Sequence, residues 1–154
     1  FVAVPGNTAA MASAAMGAAR AGGYLLALSG APGNAVQKWV KVHASRSIVV
    51  AGKKELSNAD AAALRRPVRL GAQDPVVRAA RIAGLGPRRG EAILVDNARV
   101  MAAAAAAASR RPVLFVAGKT GNAKALRFLQ TSPAISTLLS VGATPSALTA
   151  ARRA

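Results

Sequence analysis

EAILVDNARVMAAAAAAASRRPVLFVAGKTGNAKALRFLQ, residues 91–130, reads as strand, helix, strand, glycine turn and helix. Two short apolar runs, around Ile93-Leu94-Val95 and Val113-Leu114-Phe115-Val116, are rich in β-formers. Between them lies an alanine run, and alanine is the strongest helix former. Asp96 or Asn97 can cap that helix. A helix joining two strands is a crossover unit, and small alanine side chains let the helix lie close to the sheet. The expected fold is therefore α/β: a single small domain, a mixed sheet with helices packed on it.

The flanking sequence repeats this alternation. FVAV leads into a small-residue run over roughly 7–20 with helical character, and YLLAL leads into the turn SGAPGN. SRSIVVAG is a strand by Ile48, Val49 and Val50. LSNADAAALRR is capped by Ser57 or Asn58 and ended by Pro67. In DPVVRAARIAGLG, Asp74 is the N-cap and Pro75 the first helical residue. Val76, Ala80 and Ile82 lie near one face there, with Arg78 and Arg81 displaced from it. AISTLLSVGATP closes the series as a last strand. Residues 1–40 are set apart as an N-terminal extension of uncertain structure, and 41–154 as an α/β RNA-binding domain. SIVVAGKKELSNADAAALRRP and VLFVAGKTGNAKALRFLQTSP echo one another, which fits either a duplication or two ordinary strand–turn–helix units.

Charge bounds the function. Twenty-one Lys and Arg face five Asp and Glu in 154 residues, a formal charge of +16. A compact domain so charged repels itself and is most at ease against a polyanion, nucleic acid being the commonest. A basic subunit neutralised by acidic neighbours or anionic lipid is the alternative. There is no cysteine, which excludes disulfides and thiolate metal sites. No window holds eighteen clean apolar residues, so a membrane span is not expected. The chain starts at Phe1 and has no acid before Glu55, a composition like that of organelle-targeting leaders. The expected location is the mitochondrial matrix, with another organelle or the cytoplasm as the lesser alternatives.

VAGKTGN ends as a nucleotide-binding P-loop does, but that loop needs glycine five residues before its Gly-Lys pair. Here that position is Val113. Lys119 and the N–H groups of Thr120, Gly121 and Asn122 can still meet a phosphate at a helix N-terminus. An ordinary solvated turn has the same sequence. The acids (Glu55, Asp60, Asp74, Glu91, Asp96) are scattered, and His43 is the only histidine. It reads as a strand residue or an RNA-facing one. Neither acid–base catalysis nor a metal centre is provided for, so no enzyme activity, cofactor or small-molecule substrate is expected. Phe115 and Phe128 sit at core positions. Trp39, between Lys38 and Lys41, is the one residue placed to stack on a base, and core packing is the stronger alternative for it. Recognition of folded RNA by shape and phosphate suits this poverty of aromatics. The candidate RNA contacts, mostly at turns and helix ends, are Lys41, Arg46, Lys53, Lys54, Arg88, Arg89, Arg99, Arg110, Lys119, Lys124, Arg127, Arg152 and Arg153.

The C-terminal half resembles the small-subunit ribosomal protein eleven family. The similarity lies in Gly118 and Gly121 of the turn, Ala125-Leu126-Arg127 and Leu129 of the helix, Ile135 of the strand, and Thr144-Pro145 at its end. VHASRSIVV and AGLGPRRG are weaker echoes of the same family, while SALTAARRA replaces the family's basic tail. The large-subunit ribosomal protein eighteen family is similar in architecture and is a rival. The resemblance implies a constituent of an organellar ribosome, bound to ribosomal RNA and adjoining other ribosomal proteins. Two other readings stay open. One is a basic accessory subunit of a mitochondrial membrane complex. The other is a small Rossmann-like nucleotide-binding protein using VAVPGN or VAGKTGN as a phosphate loop.

Overall fold

The computed structural model describes residues 1–70, 74–96, 109–116 and 122–154. The alanine run, Arg99 and the Gly118-Lys119 turn lie outside the described residues. The elements are β1 (Val2–Ala3), α1 (Thr8–Ala21), β2 (Leu26–Ala27), α2 (Asn34–His43), β3 (Ser47–Val49), α3 (Asn58–Ala62), β4 (Pro67–Arg69) and α4 (Pro75–Ala83). They continue with β5 (Gly90–Asp96), β6 (Val113–Val116), α5 (Ala123–Gln130), β7 (Ile135–Val141) and α6 (Pro145–Arg152).

The chain is an α/β protein, but the expected single mixed sheet is replaced by two parallel ones, ordered β2-β1-β3-β4 and β6-β5-β7. Every ladder between described strands is parallel. The reason is connectivity. Helices fill the described crossovers, and a strand reached through a helix returns in its predecessor's direction. The two sheets are wound alike: in each, the first strand lies between the second and the third. The echo therefore falls in a different register from the one the sequence suggested. β3 corresponds to β7, not β6, and α3 to α6. Ser57 and Thr144 cap these two helices; Arg65-Arg66 follow the first and Arg152-Arg153 close the second.

Side-chain caps start five of the six described helices, satisfying N–H groups that the helix leaves unpaired. Asn7 accepts from Ala10 N at 2.9 Å, Ser57 from Asp60 N at 3.0 Å and Asp74 from Val76 N at 2.7 Å. Asn122 accepts from Lys124 N at 2.9 Å and Thr144 from Ala147 N at 3.2 Å. AVQKWVKVHA forms α2, which puts His43 at a helix end and not on a strand. Residues 1–40 supply β1, α1, β2 and the first turns of α2, with β1 in the middle of the first sheet.

Alanine sets the interlayer spacing. Ala10, Ala12, Ala14 and Ala18 of α1 are buried together with Ser13, Met16 and Gly17. A helix buried over so much of its circumference is wedged between layers, and α1 lies between the first sheet and α4. Met16 joins Val76, Ala79, Ile82, Ile93, Val95, Val113 and Phe115 in one cluster. On α4 the buried set is Val76, Arg78, Ala79, Ile82 and Ala83, so the expected apolar face is shifted. Arg78 is drawn inside because α4 is covered by α1 as well as by β6.

One side chain ties the two sheets. Arg20, in the last turn of α1, donates Nε–H to Ala83 O at 3.0 Å, Nη1–H to Arg110 O at 2.9 Å and Nη2–H to Pro87 O. These carbonyls belong to the end of α4, the turn before β6 and the turn before β5. Charge-assisted bonds contribute about 1.5–3 kcal/mol each when formed away from water, less when partly wet. Arg20→Ala is expected to lower unfolding free energy by about 2–3 kcal/mol. Arg20→Lys should restore less than half, since an ammonium cannot fork across three carbonyls. Urea unfolding of both variants measures this; equal stability of all three proteins would refute the tie.

Candidate polyanion interface

In a parallel α/β layer the helices run opposite to the strands, so helix C-termini and the turns after them share the strands' N-terminal edge. Arg20 lies in the last turn of α1, Arg46 precedes β3, Arg65-Arg66 precede β4, Arg88-Arg89 precede β5, Arg110-Arg111 precede β6, and Arg152-Arg153 close α6. The bonds of Arg20 bring the α1 and α4 ends and the residue 110 turn together, so both sheets present this edge at one end of the molecule. Four acids are at the other end: Glu55 follows β3, Asp96 closes β5, and Asp60 and Asp74 stand at helix N-termini. Glu91, the fifth, pairs with Arg111 at 2.6 Å across a half-exposed surface.

Part of this sorting serves the helices themselves, since helix C-termini carry partial negative charge and attract cations. Arg65 does this, donating to Lys41 O near the end of α2; Arg69 and Arg81 instead bond loop carbonyls, Arg69 those of Ala51 at 2.7 Å and Leu56 at 2.8 Å and Arg81 that of Leu70 at 2.5 Å. Sequence reasoning sees these arginines only as charge. Their partners are carbonyls, which no residue type announces.

The rest are exposed. Arg46, Arg66, Arg89, Arg110, Arg152 and Arg153 make no side-chain bond among the described residues. Of the sequence candidates, Arg46, Arg88, Arg89, Arg110, Arg152 and Arg153 are gathered at the arginine edge, with Lys41 near the end of α2. Arg88 sits over the Phe128 ring, 5.3 Å from its centroid. With Arg81, Lys124 and Arg127 it borders a groove of about 560 Å³ between α4 and α5, floored by Val77, Ala80 and Phe128 and lined by no acid. Lys53 and Lys54 lie at the opposite end beside Glu55 and do not join this set. Arg99 and Lys119 lie outside the described residues. Burial, and after it the charge of Arg88, push the Arg20 guanidinium below its ordinary value. The edge is thus crowded with like charge.

The VAVPGN loop is committed elsewhere. Asn7 caps α1 and donates Nδ2–H to Glu55 Oε1 at 2.6 Å, while Gly52 N donates to Glu55 Oε2 at 2.6 Å. A carboxylate thus occupies the crevice beyond β1 and β3, the switch point where ligands of such sheets bind, and a phosphate there would be repelled. Phe115 and Phe128 are core, as expected, being 0% and 7% exposed. Among the described residues no three His, Cys, Asp or Glu come together to hold a metal ion, and no helix is long and apolar enough to cross a membrane. No family model, curated protein or solved structure matches the chain.

The Asn7 bond, then the Gly52 bond, hold the Glu55 carboxyl below its usual range. A carboxyl depressed in the folded state stabilises the fold above the unfolded value and loses that contribution as pH falls through the folded one. Wild-type stability is therefore expected to decline on acidification below the ordinary carboxylate range. Glu55→Gln should lack that component while keeping the rest of the acid profile. Urea midpoints across pH would show parallel curves if the Glu55 contacts contributed nothing.

Proposed function

We propose that this chain is a non-catalytic polyanion-binding protein, and that the polyanion is structured RNA. The observation that carries the reading is the arginine edge: exposed guanidiniums from turns of both sheets stand at one end, with the one acid there already paired. Guanidiniums suit phosphate because their planar fork matches its oxygens. Backbone geometry adds support. Arg66 and Arg110 hold φ at 43° and 58°, in the left-handed region. A non-glycine residue there costs on the order of 1–3 kcal/mol. Glycine would be cheaper at both turns, so what the positions gain from arginine is its side chain.

The narrower reading is a structural constituent of an organellar ribosome, in the mitochondrial matrix, contacting ribosomal RNA and neighbouring ribosomal proteins. It rests on the sequence resemblance and the net charge; the parallel sheets lend that resemblance no support. Co-sedimentation of the tagged chain with ribosomal particles is its expected outcome, and recovery with respiratory complexes would replace it with the membrane-complex reading.

Binding to a structured RNA, followed by anisotropy between about 50 and 200 mM salt, should weaken steeply as counterions are recaptured. Arg88→Ala/Arg89→Ala should reduce the slope of log K against log salt by about 0.9 for each phosphate that is no longer neutralised. Arg66→Gly is the sharper test: it should weaken binding without lowering stability. Unchanged binding in all these variants would overturn the reading.

A further inference from the structure

The chain has five aromatic residues (three Phe, one Tyr, one Trp) and one histidine. Phe1, Tyr24, Trp39 and His43 line a single hollow of about 300 Å³. Local structure explains how they meet. Gly22 takes φ 63° at the end of α1 and turns the chain, which leads directly to Tyr24 before β2. Trp39 and His43 are four apart on α2 and so share a face. Their rings stack at 4.6 Å and 16°, and Tyr24 meets Trp39 edge-on at 4.9 Å and 82°. The Trp39 carbonyl, 2.9 Å from His43 Nδ1, can only accept, so Nδ1 carries the proton and the imidazole is fixed in orientation. Tyr24 is left 55% exposed, an aromatic surface that the core does not use.

The hollow opens on the arginine edge. Ala21 ends α1 and Gly22 and Gly23 follow it, while Ser45 and Arg46 precede β3 and Ser47 begins it. Arg46 thus stands beside the rings, where a phosphate would lie next to a stacked group. Among the described residues neither carboxylate nor carboxamide lines the hollow, so sugar hydroxyls would meet few side-chain acceptors there. A flat ring attached to a phosphate satisfies both features.

We infer that this hollow is a stacking site for an unpaired nucleobase, with Arg46 on the adjoining phosphate. The inference rests on the polyanion reading for the phosphate and extends it: the edge takes nucleic acid with an accessible base, such as a loop or bulge. Trp39 is the only tryptophan, so its emission reports on the hollow. A short oligoadenylate should quench it saturably. An abasic deoxyribose-phosphate oligomer of equal length should bind through the arginine edge more weakly, and without quenching. Tyr24→Ala should weaken oligoadenylate binding about tenfold and leave abasic binding unchanged, with Tyr24→Phe behaving as wild type. If both oligomers bind equally and Trp39 emission stays constant, the base site is wrong and the polyanion reading stands. If neither binds, both fall. Quenching by a heparin oligosaccharide but not by oligoadenylate would also overturn the inference, by assigning the hollow to a sugar.

Discussion

Chain polarity is the constraint on which this molecule depends. Every described strand pair is parallel, and in such a layer the helices return antiparallel to the strands. Helix C-termini therefore collect at one edge, each with carbonyls left unpaired by the helix and a share of negative potential. Arginine answers both needs at once: Arg20 meets the Ala83 carbonyl at the end of α4 and Arg65 the Lys41 carbonyl near the end of α2. The acids take the complementary place, with Ser57-Asp60 and Asp74 at helix starts. A charge separation that begins as helix capping becomes a property of the whole surface, because both sheets face the same way.

Alanine makes the joint between the sheets possible. Ala10, Ala14, Ala79, Ala83 and Ala92 are fully buried, and each contributes little area but allows close approach. With so little apolar surface per residue, directional bonds must hold the seam, and Arg20 supplies them across 63, 67 and 90 residues of chain. Arg20 is itself held at a cost, from burial first and then from the charge of its neighbour Arg88. An anion between the turns would lower that cost, so stability and anion binding act on the same guanidiniums.

Much of the secondary structure is legible in the sequence, for local reasons. Ile48-Val49, Ile93-Val95 and Val113-Val116 are strands because β-branched residues cluster there, and Ser57 and Asp74 cap as their side chains allow. The helical character of α2 is also present in the residues, since Val36, Trp39, Val40 and His43 recur at helical spacing, although Val40 to His43 suggest a strand when taken alone. At α6, Thr144-Pro145 is a cap followed by a first-turn proline, a helix start hidden behind its likeness to a strand end. The split into two parallel sheets is not legible, because pairing between distant strands leaves no mark on neighbouring residues. The basic clusters are plain in the sequence. Which arginines bind carbonyls and which face solvent depends on partners in other elements, and only the fold supplies those.

The same dependence explains the aromatic hollow. Taken one at a time, only Trp39 is placed to stack on a base, while His43 reads as a strand or RNA-facing residue and Tyr24 as part of an apolar run. Gly22 turns the chain after α1, and α2 presents two rings one helical turn apart, so the three converge. They converge at the arginine edge because the turn after α1 and the turn before β3 both belong to it. Charge alone cannot distinguish nucleic acid from any other polyanion. Charge beside an exposed stack of rings is what the proposed base site adds, since among common polyanions nucleic acid carries a flat ring on every phosphate-bearing unit.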